Sequence, residues 1–268
     1  NFLEPHMPFY GPLDDLHDPE EITLPKNYDD PLEEDEPLAY RLKRAQYRKN
    51  GFEGHDLTTE AGWRRLIANY WGLCSQVDLS VGEILNTLEN EGLADNTVVV
   101  YTSDHGDMMG AHQLLAKTVM YEESTRVPWL MRIPSQGSKQ QIVHNPVSHV
   151  DMAPTLLDLL GKPMDEALPG HSLTGLMKEG KAVEDHVFIE WNPAGTNDRA
   201  NDKNEEQKAL LSFTRTVVSP DGWKLCLNTQ DKHQLFNLNE DPGETKNLFH
   251  TGQHKERIAA FTKQIHRW

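Results

Sequence analysis

Two side chains that could bind a metal ion, Asp104 and His105, follow directly after a run of β-branched and aromatic residues. Residues 97–102 read TVVVYT and lack the alternation of a half-exposed strand, so they predict a strand that is covered on both faces. In open α/β sheets, the residues just beyond the carboxyl end of such a strand face the ligand crevice. Gly106 allows a sharp turn, after which a carboxylate and an imidazole could converge on one cation. The alternative interpretation is a turn-capping Asp104 beside a surface His105.

The elements around this corner predict an α/β layered fold. Apolar residues recur at spacings of three and four from about residue 59 to residue 91 and predict a long helix, which Gly92 would end. Strand 97–102 and the loop with Asp104 follow. The other predicted elements before residue 182 are a short helix near 39–47, an apolar strand at 127–133, an extended segment at 142–150, and a helix after Asp151, which is well placed to cap it and which Gly161 ends.

The last part of the chain has a different pattern. Four short extended segments, joined by Pro-Asp-Gly and Asp-Pro-Gly turns, predict a small antiparallel sheet against which a helix at 253–266 would pack. The polar residues 192–208 between the first two segments predict a loop. We therefore predict two domains, at 1–182 and 183–268. The four segments lie at 186–191, 213–219, 223–228 and 234–238.

Composition excludes several classes of partner. The chain has 26 Lys and Arg against 42 Asp and Glu, and the net charge of −16 argues against nucleic acid or an anionic membrane as partner. No apolar run approaches the roughly 20 residues of a membrane span. The two cysteines, Cys74 and Cys226, are too few for a disulfide framework, and both are predicted to pack in the core. Because the sequence starts with Asn1 and at once enters a recognisable segment, we expect the latter part of a longer polypeptide.

Four ordered segments of the sequence resemble the sulfatases, a branch of the alkaline phosphatase superfamily. TSDHGDMMGAHQLLAK followed by YEESTRVP, from residue 102 to residue 128, resembles their C-terminal active-site signature. EPHMPF at 4–9 is similar to their Pro-His-x-Pro segment, and VSHVDMAPTLLDLLG at 147–161 to their Asp-x-x-Pro-Thr helix. HQLFNLNEDPGETKNL at 233–248 is similar to their C-terminal Asp-Pro-x-Glu and Asn-Leu pattern.

The resemblance implies a fold and a set of cofactors. The fold would be part of an alkaline-phosphatase-like sandwich, in which a mixed, mostly parallel sheet carries helices on both faces. Sulfatases use a formylglycine nucleophile, made from Cys or Ser in a Cys/Ser-x-Pro/Ala-x-Arg motif. That motif is absent from this sequence, as is the early strand whose paired aspartates supply further metal ligands, so both are expected upstream. The family commonly binds Ca²⁺ at the positions of Asp104 and His105, whereas residue chemistry alone favours a transition metal for an imidazole ligand. We predict Ca²⁺, with Mn²⁺ or Mg²⁺ as alternatives.

Three further residues receive roles from the resemblance. Lys117 matches the lysine that contacts the sulfate, where it would balance charge in catalysis. His6, held between two prolines, matches a histidine that contacts the ester and could protonate the departing oxygen. His112 is a candidate substrate contact, although Gln113 replaces the glycine of the family's Gly-x-His-Gly. Glu122, Glu123 and Arg126 are predicted to form a salt-bridge cluster that anchors the loop.

The predicted function is hydrolysis of sulfate esters, as an arylsulfatase or a carbohydrate sulfatase acting on a sulfated small molecule or carbohydrate. Alone, the chain is expected to be inactive, because the nucleophile segment is missing. Two alternatives stay open: a phosphonate monoester or phosphodiester hydrolase of the same superfamily, and a non-catalytic remnant that binds sulfated glycans. The upstream sequence would separate an enzyme from a binding remnant.

Overall fold

A computed structural model describes residues 9–32, 34–137, 140–164, 167–180, 186–193 and 204–268. The chain divides into two compact units, and the site predicted around Asp104 lies in the first. The first unit comprises residues 1–32 and 40–138, and the second comprises 33–39 and 139–268. The prediction of domains at 1–182 and 183–268 stays a prediction. No helix in the described part of the chain has the length and apolar character of a membrane span.

The first unit is built on two helices, α1 (Leu38–Asn50, almost all of which belongs to this unit) and α2 (Glu60–Asn90). The predicted long helix is confirmed. The Thr59 side chain accepts a hydrogen bond from the Gly62 amide at 3.1 Å and so caps α2, and Gly92 follows its end with φ 66°. The first half of α2 is buried in a cluster that also includes Leu115 from the loop after the Asp104 corner. The cluster contains Phe9, Tyr28, Leu57, Trp63, Leu66 and Leu115.

The strand that precedes the site, β1 (Val99–Thr102), pairs antiparallel with β2 (Trp129–Arg132). The prediction that this strand is covered on both faces is wrong for the described residues, because its side chains are half-buried or exposed and Tyr101 is 41% exposed. Those residues provide β1 with one neighbouring strand only. The short helix α3 (Glu122–Thr125) lies between the two strands in sequence. Cys74 also departs from expectation, since it is exposed on α2.

The second unit contains the predicted antiparallel sheet and its helix. Its four strands are arranged in the order β3-β4-β5-β6, and helix α7 (Lys255–Ile265) packs on them through Phe261 and Ile265. Cys226 is buried in β5, as predicted. The predicted loop is wrong from Glu205 onward, where helix α6 (Glu205–Leu210) begins behind an Asn204–Gln207 capping box; residues 194–203 lie outside the description. The strands are β3 (Val187–Trp191), β4 (Thr214–Val218), β5 (Trp223–Asn228) and β6 (Gln234–Asn237).

The polar residues of the C-terminal sulfatase-like segment hold this sheet together. Lys224 on β5 and Glu244 form an ion pair at 2.9 Å with both side chains fully buried. The Asn247 side chain accepts hydrogen bonds from the amides of Leu235 and Phe249 and donates to the carbonyl oxygen of His233. These contacts show why an acidic residue and an amide recur in this segment: each satisfies buried polar groups of the sheet.

Two short helices complete the second unit, α4 (Met152–Leu159) and α5 (Thr174–Glu179). The prediction that Asp151 caps α4 is wrong: Asp151 lies inside a preceding turn of 3₁₀ helix, and its carboxylate accepts from the amides of Ser148 at 3.1 Å and His171 at 3.0 Å. Ser148 is the capping residue, because the helical turn starts three residues earlier than the apolar pattern does. Gly161 follows α4 with φ 61°, as expected.

Candidate active site

The chain turns at the end of β1 so that Asp104 and His105 lie side by side. The Ser103 hydroxyl donates to the carbonyl oxygen of His105 at 2.7 Å, and the His105 amide donates to Asp104 Oδ1 at 2.9 Å. Both hydrogen bonds are local, so a short sequence is enough to form the corner. The side chains remain open to solvent, with 74% of Asp104 and 35% of His105 exposed.

The pair has the geometry and chemistry of two ligands of one cation. His105 Nε2 and Asp104 Oδ2 are 3.3 Å apart, a separation that suits two atoms each bound about 2.0–2.6 Å from a shared ion. His105 Nδ1 lies 2.8 Å from the carbonyl oxygen of Gly106, which can only accept, so Nδ1 carries the proton and a neutral ring leaves Nε2 with a free lone pair. Within the described ranges, no group of three or more His, Cys, Asp or Glu gathers as ligands. The pair therefore fits a divalent cation as part of a larger ligand set.

Gly106 is required for close approach and not for an unusual backbone angle. It is absent from the residues with positive φ, but a Cβ at this position would lie 1.9 Å from the carbonyl oxygen of Glu123. The Gly106 amide donates to the carbonyl oxygen of Ser124 at 2.9 Å. The corner is thus held against α3. The sequence predicted a glycine here because it allows a sharp turn, whereas the structure requires one because a Cβ would clash with the carbonyl oxygen of Glu123.

Residues 107–118, which we call the lysine loop, fold back on themselves after the corner. Asp107 closes the loop, because its Oδ1 accepts from the amides of Met109 at 3.1 Å and Ala116 at 2.9 Å. The amide of Met108 donates to the carbonyl oxygen of Ala116 at 2.9 Å. Several non-glycine residues of the loop have positive φ, a conformation that is costly for side chains and persists only where the surroundings enforce it. They are Met109, His112, Gln113, Ala116 and Thr118.

The closed loop returns Lys117 to the neighbourhood of the metal corner. Burial raises the pKa of Asp107, whereas the backbone hydrogen bonds from Met109 and Ala116 and the proximity of His105 and Lys117 lower it. Asp107 is therefore within electrostatic range of both His105 and Lys117. Lys117 is half-buried. The spacing between the Asp-His pair and the lysine follows from the loop that Asp107 closes.

His112 lies inside the protein and not at the open side of the site. Its side chain is 0% exposed, its Nδ1 is 2.5 Å from Asp30 Oδ2, and its Nε2 is 3.0 Å from Asn27 Nδ2. The ring stacks on Tyr121 with centroids 3.9 Å apart. Asn27 also donates to Glu123 Oε1 at 2.9 Å, so the network reaches α3, against which Gly106 is fastened. The assignment of His112 as a substrate contact stays a prediction.

Sequence reasoning missed the residues that support the site from outside the signature. Asn27 and Asp30 belong to the polar KNYDD segment, whose spacing gives no sign of a contact with His112 more than 80 residues away. Of the predicted salt-bridge cluster, the described residues show an Arg126–Glu122 approach of 3.9 Å with Arg126 82% exposed, and Glu123 accepts from Asn27. His6 lies outside the described residues.

Comparison with known proteins identifies the class to which this fold and site belong. The chain belongs to the sulfatase family, because residues 2–162 match the family model described as Sulfatase. Residues 110–268 also match the model described as N-sulphoglucosamine sulphohydrolase, C-terminal. Arylsulfatase K of Xenopus laevis is 31% identical over 247 residues, which cover 91% of this chain and 43% of that protein.

Solved structures share the fold over about half of their own length. A phosphonate monoester hydrolase from Silicibacter pomeroyi superimposes with a TM-score of 0.79 at 24% identity, covering 96% of this chain and 52% of that one. A protein solved in complex with its substrate D-glucosamine-2-N, 6-O-disulfate gives a TM-score of 0.64 at 24% identity, with 85% of this chain and 45% of that one covered. These likenesses confirm the predicted α/β fold class of alkaline-phosphatase-like sulfatases.

Proposed function

We propose that the protein to which this chain belongs hydrolyses sulfate esters, and that these residues supply the cation-binding corner and the sulfate-binding lysine. The observation that carries the proposal is the solvent-open pair of Asp104 and His105, with Lys117 and His105 both in electrostatic range of Asp107, in a chain of the sulfatase family. The nucleophile, a formylglycine, would come from a segment outside these 268 residues, because they contain no matching Cys or Ser motif.

Asp104 and His105 would hold the cation, for which we propose Ca²⁺, with Mn²⁺ or Mg²⁺ as alternatives. A carboxylate oxygen suits all three ions, and the neutral Nε2 adds a ligand that Mn²⁺ accepts more readily than Ca²⁺. A bound divalent cation polarises the oxygens of the ester group and lowers the charge that the transition state must bear. The Asp104 carboxylate would balance part of the positive charge of the cation. The carbonyl oxygen of Gly106 fixes the direction of the His105 ring.

Lys117 would bind the sulfate and stabilise charge that grows on its oxygens. Its ammonium is a compact donor beside the corner, and Asp107 limits the repulsion between it and the cation side of the site. The role of His6 as the acid that protonates the departing oxygen rests on the Pro-His-x-Pro match. Because the chain carries a net charge of −16, attraction of an anionic ester must be local to these groups.

A sulfated carbohydrate is the substrate class that we favour. One structural neighbour was solved with a sulfated glucosamine described as its substrate. Phosphonate monoester hydrolysis is the second candidate, since a hydrolase of that class superimposes with a TM-score of 0.79. Binding of a sulfated glycan without cleavage is the third.

The test is an assay of the complete protein with Ca²⁺ on three compounds: nitrophenyl sulfate, a sulfated glucosamine and a phenyl phosphonate monoester. We expect hydrolysis of the sulfate esters, lost in Lys117→Ala, with the Lys26→Ala variant as a matched control. Faster turnover of the phosphonate would move the assignment to the second candidate. Binding of the sulfated sugar by calorimetry, without turnover of any compound, would support the binding remnant.

A further inference from the structure

One face of α1 lies against the end of the lysine loop and the residues that follow it, and contacts residues 115, 118 and 120. The Tyr40 hydroxyl accepts from the Met120 amide at 2.9 Å, and the Tyr47 hydroxyl donates to the carbonyl oxygen of Leu115 at 3.1 Å. Between them, Lys43 Nζ donates to the carbonyl oxygen of Thr118 at 3.2 Å and also to Thr118 Oγ1. Residues 40, 43 and 47 share one helix face because their spacings are three and four.

Lys43 is the unusual member of this face, because it is half-buried and the removal of an amine from water is costly. Desolvation lowers the pKa of Lys43 to about 8. Among the described residues, no carboxylate forms an ion pair with it, and its contacts are two oxygens of Thr118. A hydrophobic residue at this position would pack without that cost. The hydrogen bonds to Thr118 are therefore the interactions that can compensate for the desolvation of this amine.

Thr118 needs an external support, and it is the neighbour of Lys117. Its φ is 78°, which is an outlier for a β-branched residue, and Ala116 on the other side of Lys117 has φ 60°. A lysine between two such residues points where their backbone directs it. Asp107 fastens Ala116 from one side, and Lys43 fastens Thr118 from the other.

We propose that Lys43 is a positioning residue that holds Thr118 and thereby directs the Lys117 ammonium at the substrate's sulfate group. The inference rests on the proposed function only for the identity of the group that Lys117 meets. Lys43 touches no reacting atom; it acts through the backbone and hydroxyl of Thr118. A displacement of about 1 Å of Lys117 is enough to lower the rate by up to about 100-fold.

The experiment is a double-mutant cycle in the complete protein. Lys43→Met is compared with wild type in the presence of Lys117 and again in a Lys117→Ala background, with Lys49→Met on the exposed side of α1 as the matched control. We expect Lys43→Met to lower kcat/KM by about 10- to 100-fold when Lys117 is present and by less than about 2-fold when it is absent. Lys43→Arg, which can still donate to Thr118, should recover part of the loss.

A second pair of variants protects the test against simple misfolding. Thr118→Val removes the hydroxyl and keeps the shape, whereas Thr118→Ser keeps the hydroxyl, so only the first should resemble Lys43→Met. Ca²⁺ affinity should stay unchanged in all of them. Equal losses in both Lys117 backgrounds, or a fully active Lys43→Met, would overturn the inference.

An activity-independent measurement separates this inference from the proposed function. Amide hydrogen exchange of residues 115–120 should be faster in Lys43→Met than in Lys49→Met. Faster exchange in a protein that hydrolyses no sulfate ester would keep the positioning contact and reject the function. Unchanged exchange and unchanged kinetics in an active sulfatase would keep the function and reject the role of Lys43.

Discussion

Asp104 is the residue on which a cation at this site depends most, because it supplies the carboxylate of the pair and is the more exposed of the two. We expect Asp104→Ala in the complete protein to lower both metal occupancy and hydrolysis of an aryl sulfate by orders of magnitude. Metal analysis of the purified variant, with kinetics at saturating Ca²⁺, measures the two effects. Asp95→Ala on the same unit is the control. Unchanged occupancy would place the metal elsewhere.

Lys117 and His6 should fail in different ways when each is replaced by alanine. Lys117→Ala should raise KM and lower kcat for every sulfate ester, because the ammonium meets sulfate charge in both the ground state and the transition state. His6→Ala should damage hydrolysis of a sugar sulfate far more than that of nitrophenyl sulfate, whose leaving group scarcely needs a proton. Comparing kcat and KM on both substrates distinguishes them. Equal losses on the two substrates would remove the acid role from His6.

At this scale, the sequence indicated candidate site residues but not the residues that contact them in the folded chain. Asp104 and His105 could be predicted because a strand end and a turn are local features. The role of Asp107 could not, since its hydrogen bond from the Ala116 amide depends on a loop that closes nine residues later. The contact between His112 and Asp30 spans 82 residues and follows from tertiary packing alone. The contact of Lys43 with Thr118 was not predicted, because a lysine on a helix is normally solvated.

The corner between β1 and α3 requires a residue without a Cβ at position 106. We expect Gly106→Ala to destabilise the protein by about 2 kcal/mol or more and to weaken metal binding, because the carbonyl of Glu123 would have to move. Gly82→Ala on α2 is the matched control: no described atom lies within 4 Å of its added Cβ, and alanine favours the helix by up to about 1 kcal/mol. Urea unfolding of both variants measures the difference. Equal stabilities would contradict the steric account.

The desolvated amine of Lys43 on α1 should make the free energy of unfolding depend on pH. The folded protein releases the Lys43 proton near pH 8, whereas the unfolded chain keeps it to about pH 10.5. Between these values the unfolded state binds more protons, so the Lys43 contribution to stability rises with pH, by at most about 3 kcal/mol. Below pH 8 both states are protonated and the desolvation cost is fully present. Lys43→Met should lack this rise when unfolding is measured from pH 7 to pH 10.

Strands were located more completely than helices: each of the six described strands lies within a predicted extended segment, whereas helices α5 and α6 were not predicted from the sequence. The pattern of α2 is repeated over many turns, and its predicted and observed ends differ by one residue, because capping by Thr59 is a local signal. The predicted burial of β1 was wrong. The apolar run TVVVYT indicates that the strand can be covered on both faces, but it does not indicate which elements lie beside it. The start of α6 was missed, because the predicted loop was polar throughout and its capping box is short.

For the molecule as a whole, the exposed apolar surface predicts association. The edge of β1 opposite β2 has no partner strand among the described residues, and Leu79, Ile84 and Leu130 are 61%, 48% and 59% exposed. We expect the 268-residue chain expressed alone to self-associate, because open sheet edges pair between molecules. Light scattering after size exclusion measures this, and Leu130→Lys should reduce it more than Leu210→Lys on α6. A monodisperse monomer that melts cooperatively would contradict the prediction.

The buried pair of Lys224 and Glu244 constrains how this sequence can drift over generations. Losing either partner alone leaves a charge inside the sheet, which costs about 3–5 kcal/mol and is a large part of the 5–15 kcal/mol that stabilises a typical domain. Replacing both by apolar residues of similar volume can be nearly neutral. A protein that has lost only one of the two charges would fold poorly. The two positions are therefore epistatic, and lineages that abandon one charge should be found to have abandoned the other.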